Sequence, residues 1–154
     1  MISDSSRYYG CVLYQLIEQH DQQVTIQRLN SDILGFYLVN GELPFYIKYS
    51  TNRTGPWSFN FQLPHQERQK ELFDMYEECV TVFVCGRDGT AALPYTELQK
   101  IIDANSELQE SVSIRRRHNK MYQINGRNGA LDRKVSRSSF SEILKNHNER
   151  LMRK

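Results

Sequence analysis

Lys48 stands in the middle of an apolar segment, Phe45-Tyr46-Ile47-Lys48-Tyr49, one hairpin downstream of Asp32. A cation among aromatic and aliphatic neighbours is costly to leave unpaired, so it is either held by a carboxylate or used on an anion. Asp32 is the acid the sequence offers, which leaves two readings open. In one, Asp32 and Lys48 form a structural cross-strand ion pair at a sheet end. In the other, the carboxylate holds a hard divalent cation while the ammonium offsets charge on a reacting phosphate, as metal-dependent phosphodiester hydrolysis requires.

The elements that position these residues can be read from periodicity and turn chemistry. Ser3, Asp4 and Ser5 offer N-caps for a helix whose stripe is Tyr9, Val12, Leu13, Leu16 and Ile17. After a polar turn at 20–23 comes a short strand over 24–28. Residues 33–39 and 43–50 are apolar, β-branched and aromatic runs joined by Asn40-Gly41, a strong hairpin signal. A two-residue loop there pairs Asp32 with Tyr49; a three-residue loop with Gly41 as a bulge pairs Asp32 with Lys48 and puts both on one face with Tyr46. Trp57-Ser58-Phe59-Asn60-Phe61 alternates with period two and reads as an edge strand.

Pro64 opens a second helix with Gln69, Leu72, Phe73, Tyr76 and Val80 along one face. The unbroken run Val80–Cys85 suits a strand covered on both sides, and Arg87-Asp88-Gly89 turns it into a partner over 90–93. A brief helix (Leu98, Ile101, Ile102), a hairpin of 111–117 with 120–125, a basic loop over 126–139 and a last helix (Phe140, Ile143, Leu144) complete the chain. The expectation is one α/β domain over 1–154, a mixed sheet flanked by helices, with a core over about 5–93 and a helix-hairpin-helix extension over about 94–154.

The order α-β-β-β-α-β over residues 5–85 resembles the core of the restriction-endonuclease-like superfamily, the PD-(D/E)XK nucleases. In that family an Asp starts the second strand and an acid-x-Lys triplet lies on the third. Asp32 matches the Asp, Ser31 stands where Pro is often found, Lys48 matches the Lys, and Tyr46 falls at the second acid. The resemblance implies Mg²⁺ or Mn²⁺ held at Asp32, Lys48 at the reacting phosphate, and His65 or Gln69 completing the shell. Tyr46 departs from the pattern, because a phenol is neutral at pH 7 and a poor ligand for a hard cation. No replacement acid is evident in the sequence. Glu18 projects away from its helix stripe, Glu67 and Glu71 lie off the Gln69 face, and Glu42 sits at the far end of the hairpin.

Two further regions bear on partners. Ser50 to Gly55 is a run of small or polar donors with Arg53, ahead of Trp57, Phe59 and Phe61. It either grips a phosphate while Trp57 stacks or packs, or is a surface crossover whose following aromatics enter the core. Arg115, Arg116, Arg117, His118 and Lys120, with Arg127, Arg133, Lys134 and Arg137 beyond, either line a nucleic-acid backbone or form a solvated hairpin tip balanced by Glu107 and Glu110.

The net charge of +2 over 154 residues does not itself suggest nucleic acid, so clustering must carry that argument. Cys11, Cys79, Cys85, His65 and His118 share no zinc spacing, and three cysteines do not make a disulfide framework. No phosphate-binding glycine loop, nucleophile elbow, signal peptide or membrane span is present. The sequence therefore points to a cytoplasmic nucleic-acid-binding protein, DNA foremost, with a nuclease site that is degenerate or minimal. The alternative is a non-catalytic interaction module on the same fold, forming a homodimer or taking a protein partner along the 57–61 strand.

Overall fold

The computed structural model describes residues 1–19, 23–29, 32–102 and 109–152. Its elements are α1 (Asp4–Glu18), β1 (Ile26–Arg28), β2 (Phe36–Val39), β3 (Leu43–Ser50), β4 (Trp57–Phe61), α2 (Leu63–Tyr76), β5 (Val80–Cys85), β6 (Gly89–Pro94), α3 (Tyr95–Ile101), β7 (Glu110–Arg116), β8 (Tyr122–Gly126), β9 (Gly129–Ala130) and α4 (Ser139–Met152). A five-stranded main sheet runs β1-β2-β3-β5-β6 and a four-stranded second sheet runs β4-β7-β8-β9. The fold is α+β, with a central mixed sheet flanked by helices.

Most pairs in the main sheet are antiparallel. The exception is β3 with β5, parallel from Phe45↔Val80 to Ser50↔Cys85, joined by a crossover that contains α2. Period-two alternation sorts these central strands between two cores. Leu43, Phe45, Ile47, Val80, Val82 and Val84 face one side and pack with Val12 and Leu16 of α1 and Phe140 and Leu144 of α4. Tyr46, Phe83 and Leu93 face the other, covered by Leu72 of α2, Leu98 and Ile101 of α3, and the second sheet. α1 is capped by the Ser3 side chain, which accepts from the Ser6 amide. Ile17, expected in the α1 stripe, is 51% exposed and lies outside the core.

Two expectations change in ways that matter for function. β4 is an edge strand, but of the second sheet: its apolar face, Trp57, Phe59 and Phe61, turns onto the main sheet, and it pairs antiparallel with β7 from Trp57↔Ile114 to Phe61↔Glu110. The segment after residue 94 is consequently no appendage. Its hairpin gives Val112, Ile114, Tyr122 and Ile124 to one core and α4 gives Phe140 and Leu144 to the other.

The junction between the sheets is fixed at Gly86. Its amide donates to the Ser50 carbonyl at 3.1 Å, its φ is +54°, and a Cβ there would strike the Asn52 carbonyl oxygen, which already accepts from the Trp57 indole at 2.9 Å. Only glycine permits that approach without strain. Gly86→Ala is expected to lower stability by about 1–3 kcal/mol in urea unfolding; an unchanged midpoint would show that the loop after β3 is not seated as described.

Candidate functional site

Lys48 is carried by β3 on the face shared with Tyr46, pointing into the gap between the two sheets. Its ammonium donates to the Asn60 carbonyl of β4 at 2.5 Å and sits 5.5 Å from the Tyr46 ring centroid and 5.2 Å from that of Phe61. Tyr46 stacks on Phe36 at 4.0 Å between centroids and meets His65 edge-on at 5.9 Å. The structure thus brings together Tyr46, Lys48, Asn60, Phe61 and His65. Gln69 lies deeper: it is 1% exposed and donates to Thr81 at 2.6 Å, while Gln66 donates to the Phe61 carbonyl at 3.0 Å. The inner face of α2 thereby ties β4 and β5 together with neutral amides.

Burial sets the electrostatics of this gap. It lowers the Lys48 pKa from 10.5 to about 8. It lowers that of His65 as well, with the Lys48 charge adding to the effect, and it raises the Tyr46 phenol far above its ordinary value. The gap therefore holds one cation, a neutral phenol and an imidazole biased to its neutral form.

Asp32 does not join them. The hairpin carries a three-residue loop, but at Asn40-Gly41-Glu42, one residue later than the Val39-Asn40-Gly41 loop that would set Asp32 opposite Lys48, because Val39 pairs with Leu43 and Phe36 with Tyr46. That register projects position 32 across from Ser50 rather than Lys48, and the ladder ends at Phe36 before reaching it. The cause is local: Gly35 adopts φ +99° and sends the preceding residues off the strand line, leaving Asp32 in an exposed bend. Among the described residues no carboxylate forms an ion pair with Lys48. Ser31 lies outside the described residues.

The expected metal can be tested against these donors. A hard divalent ion takes several oxygen ligands, anionic ones above all. The gap offers a neutral phenol, the His65 imidazole, a carbonyl already taken by an ammonium, and the ammonium itself, a set without a carboxylate that does not suit Mg²⁺ or Mn²⁺. Among the described residues, no three His, Cys, Asp or Glu side chains converge where a metal ion would be held.

The basic hairpin divides into cations that are used internally and cations that are free. Arg116 Nε and Nη2 donate to Asp88 Oδ2 and Oδ1 at 2.8 and 2.7 Å, Tyr122 donates to the same Oδ2 at 2.7 Å, and Arg137 donates to the Asp88 carbonyl. Asp88, in the β5–β6 turn, thus anchors the second sheet to the main one. The Arg116 hydrogen bonds hold its carboxyl below the usual carboxylate range. Arg115, Arg117, His118 and Lys120 are exposed around the β7–β8 turn, and Arg115 donates to its cross-strand partner Gln123 at 3.2 Å. Glu110, named as a counter-charge, has a side chain that is 0% exposed and lies 3.7 Å from Arg127; Glu107 lies outside the described residues.

Arg53 is exposed in the loop between β3 and β4, which enters β4 at the end where Trp57 pairs with Ile114, next to Arg115. Trp57 itself is 3% exposed and meets Tyr122 edge-on at 6.2 Å, so its indole packs the core and offers no face to a base. The free edge of β4 is partly closed, since Lys48 takes the Asn60 carbonyl that an added strand would need. Sequence reasoning did not single out Asp88, Tyr122, Arg137 or Asn60 as a connected set, because their association depends on a second sheet; the Arg-Asp-Gly turn was the one local signal.

Compared with known proteins, the chain matches no family model, no curated protein and no solved structure. No helix among the described residues is long and apolar enough to cross a membrane.

Two outcomes are expected. The unfolded chain holds the Lys48 proton up to about 10.5 and the folded chain up to about 8, so between these values stability rises with pH. Lys48→Met is expected to stabilise by about 1–2 kcal/mol at neutral pH, with the gain shrinking as pH rises through that window in urea titrations. Asp88→Asn is expected to lower the unfolding midpoint at neutral pH. Because the folded pKa of Asp88 is depressed, that deficit should close as pH falls through the acid range; a deficit independent of pH would separate the carboxylate charge from the anchoring role.

Proposed function

We propose that this chain is a nucleic-acid-binding domain on a restriction-endonuclease-like core, and that its role is binding rather than metal-dependent cleavage. The core reading is supported by the order α1-β1-β2-β3-α2-β5 once β4, which joins the second sheet, is set aside, by the β2–β3 hairpin, and by α1 and α2 lying on opposite faces of the main sheet. The observation that carries the binding reading is the grouping of Arg53, Arg115, Arg117 and Lys120, all exposed, at one end of the second sheet. None of the four forms an ion pair among the described residues. Such a cluster neutralises phosphates and releases their counterions. Binding is favoured over hydrolysis because Tyr46 replaces the second acid and Asp32 stands apart from Lys48.

The test is fluorescence anisotropy with labelled DNA across a salt series, on the wild type and on Arg115→Glu, Arg117→Glu and Asp32→Ala. Affinity should fall steeply with salt, and each Arg variant should reduce the log–log slope by about one. Asp32→Ala should bind as the wild type does. Absence of binding at low ionic strength would refute the proposal, and Mg²⁺-dependent cleavage that disappears in Asp32→Ala would replace binding by hydrolysis.

A further inference from the structure

The second sheet has two chemically opposite faces. Inward, it presents Trp57, Phe59, Phe61, Val112, Ile114, Tyr122 and Ile124, each no more than 3% exposed. Outward, the alternate positions are Ser58 and Asn60 on β4, Ser111, Ser113 and Arg115 on β7, and Gln123 and Asn125 on β8. Registration sets Ser58 beside Ser113 and Ser113 beside Asn125, so these side chains form one continuous field. Asparagine is a poor strand former, and a merely solvated face more commonly carries β-branched threonine. Here every outward side chain carries a group able to donate or accept a hydrogen bond. The one acid within β4, β7 and β8 is Glu110, whose side chain is fully buried.

We infer that this outer face is the docking floor for a double-helical nucleic acid, held by its sugar–phosphate backbone rather than by stacking on unpaired bases. The inference rests on the binding reading above and specifies its ligand. Proteins that hold single strands present aromatic platforms on which successive bases stack. The strand positions of this floor carry none, because the aromatics of β4, β7 and β8 all point inward. The exposed Tyr14 belongs to α1, on the opposite side of the main sheet. Neutral donors flanked by arginines instead match phosphate and sugar oxygens, which carry most contacts to a duplex. Four strands at about 4.8 Å spacing make a floor about 15–20 Å across, and a groove of about 6–12 Å between phosphate rows fits within it.

The experiment compares the full chain on a labelled DNA duplex and on one of its separated strands, at low salt. Variants Ser58→Glu, Ser58→Lys and Ser113→Glu address the floor, and Gln27→Glu on the far edge of the main sheet is the control. The duplex should bind at least about tenfold tighter than the strand. Ser58→Glu and Ser113→Glu should weaken duplex binding and Ser58→Lys should strengthen it, with Gln27→Glu unchanged. The opposite signs at position 58 separate a charge effect from misfolding, which would weaken both. Equal or tighter binding of the single strand overturns this inference while leaving nucleic-acid binding standing. So does duplex binding indifferent to charge at 58 and 113. Failure to bind either ligand overturns the binding reading itself.

Discussion

One face of the main sheet would be left wet if β4 stayed in it. Tyr46, Phe83 and Leu93 require apolar cover, and α2 and α3 cover only part of that face. β4 resolves this by leaving the plane: its aromatics turn onto Phe83, with Phe59 at 4.9 Å and Phe61 at 6.0 Å between ring centroids. Aromatic contacts of this edge-on kind add to the gain from burial. Once β4 has left, its hydrogen-bonding edge must be met by another strand, and β7 supplies it. The second sheet, its polar outer face and the gap around Lys48 all follow from that departure.

The same constraint determines which cations are available to a partner. Asp88 is a polar fastening between the two sheets, accepting from Arg116 and Tyr122 together. A bidentate guanidinium is well suited to such a joint, since its geometry is fixed as well as its charge. Arg116 and Arg137 are thereby spent on structure, although in sequence they look no different from Arg115 and Arg117. A run of arginines read by composition overstates the free charge.

Much of the fold was legible from local pattern. The α1 cap at Ser3 and the buried run at 80–85 lie where short-range physics puts them, the turn at Asn40-Gly41 is present with its register displaced from both expected pairings, and α2 begins at Leu63, one residue before Pro64. The period-two alternation of Trp57, Phe59 and Phe61 also gave the strand, yet not its sheet, because alternation fixes a face and says nothing of the neighbour. The site was less legible for a comparable reason. Placing Asp32 against Lys48 assumed both a hairpin loop one residue earlier and a β2 unbroken from residue 33, whereas Val39 pairs with Leu43 and the ladder ends at Phe36, next to Gly35 at positive φ. Trp57, a candidate for stacking, was claimed by the core that its own alternation predicts.

Within the chain, Lys48 is held without a carboxylate partner among the described residues. A backbone carbonyl and two ring faces stabilise the ammonium at close range without a counter-charge. The position is still costly, as its depressed pKa records, so something must offset that cost. Edge protection is one gain that the geometry makes visible: a lysine directed at the open side of β4 occupies an acceptor that a foreign strand would otherwise use, and an inward-pointing charge is a strong deterrent to further pairing. On this argument the residue that most resembles a catalytic lysine shields part of the β4 edge, which is why the binding proposed above is placed on the outer face of the second sheet rather than on that edge.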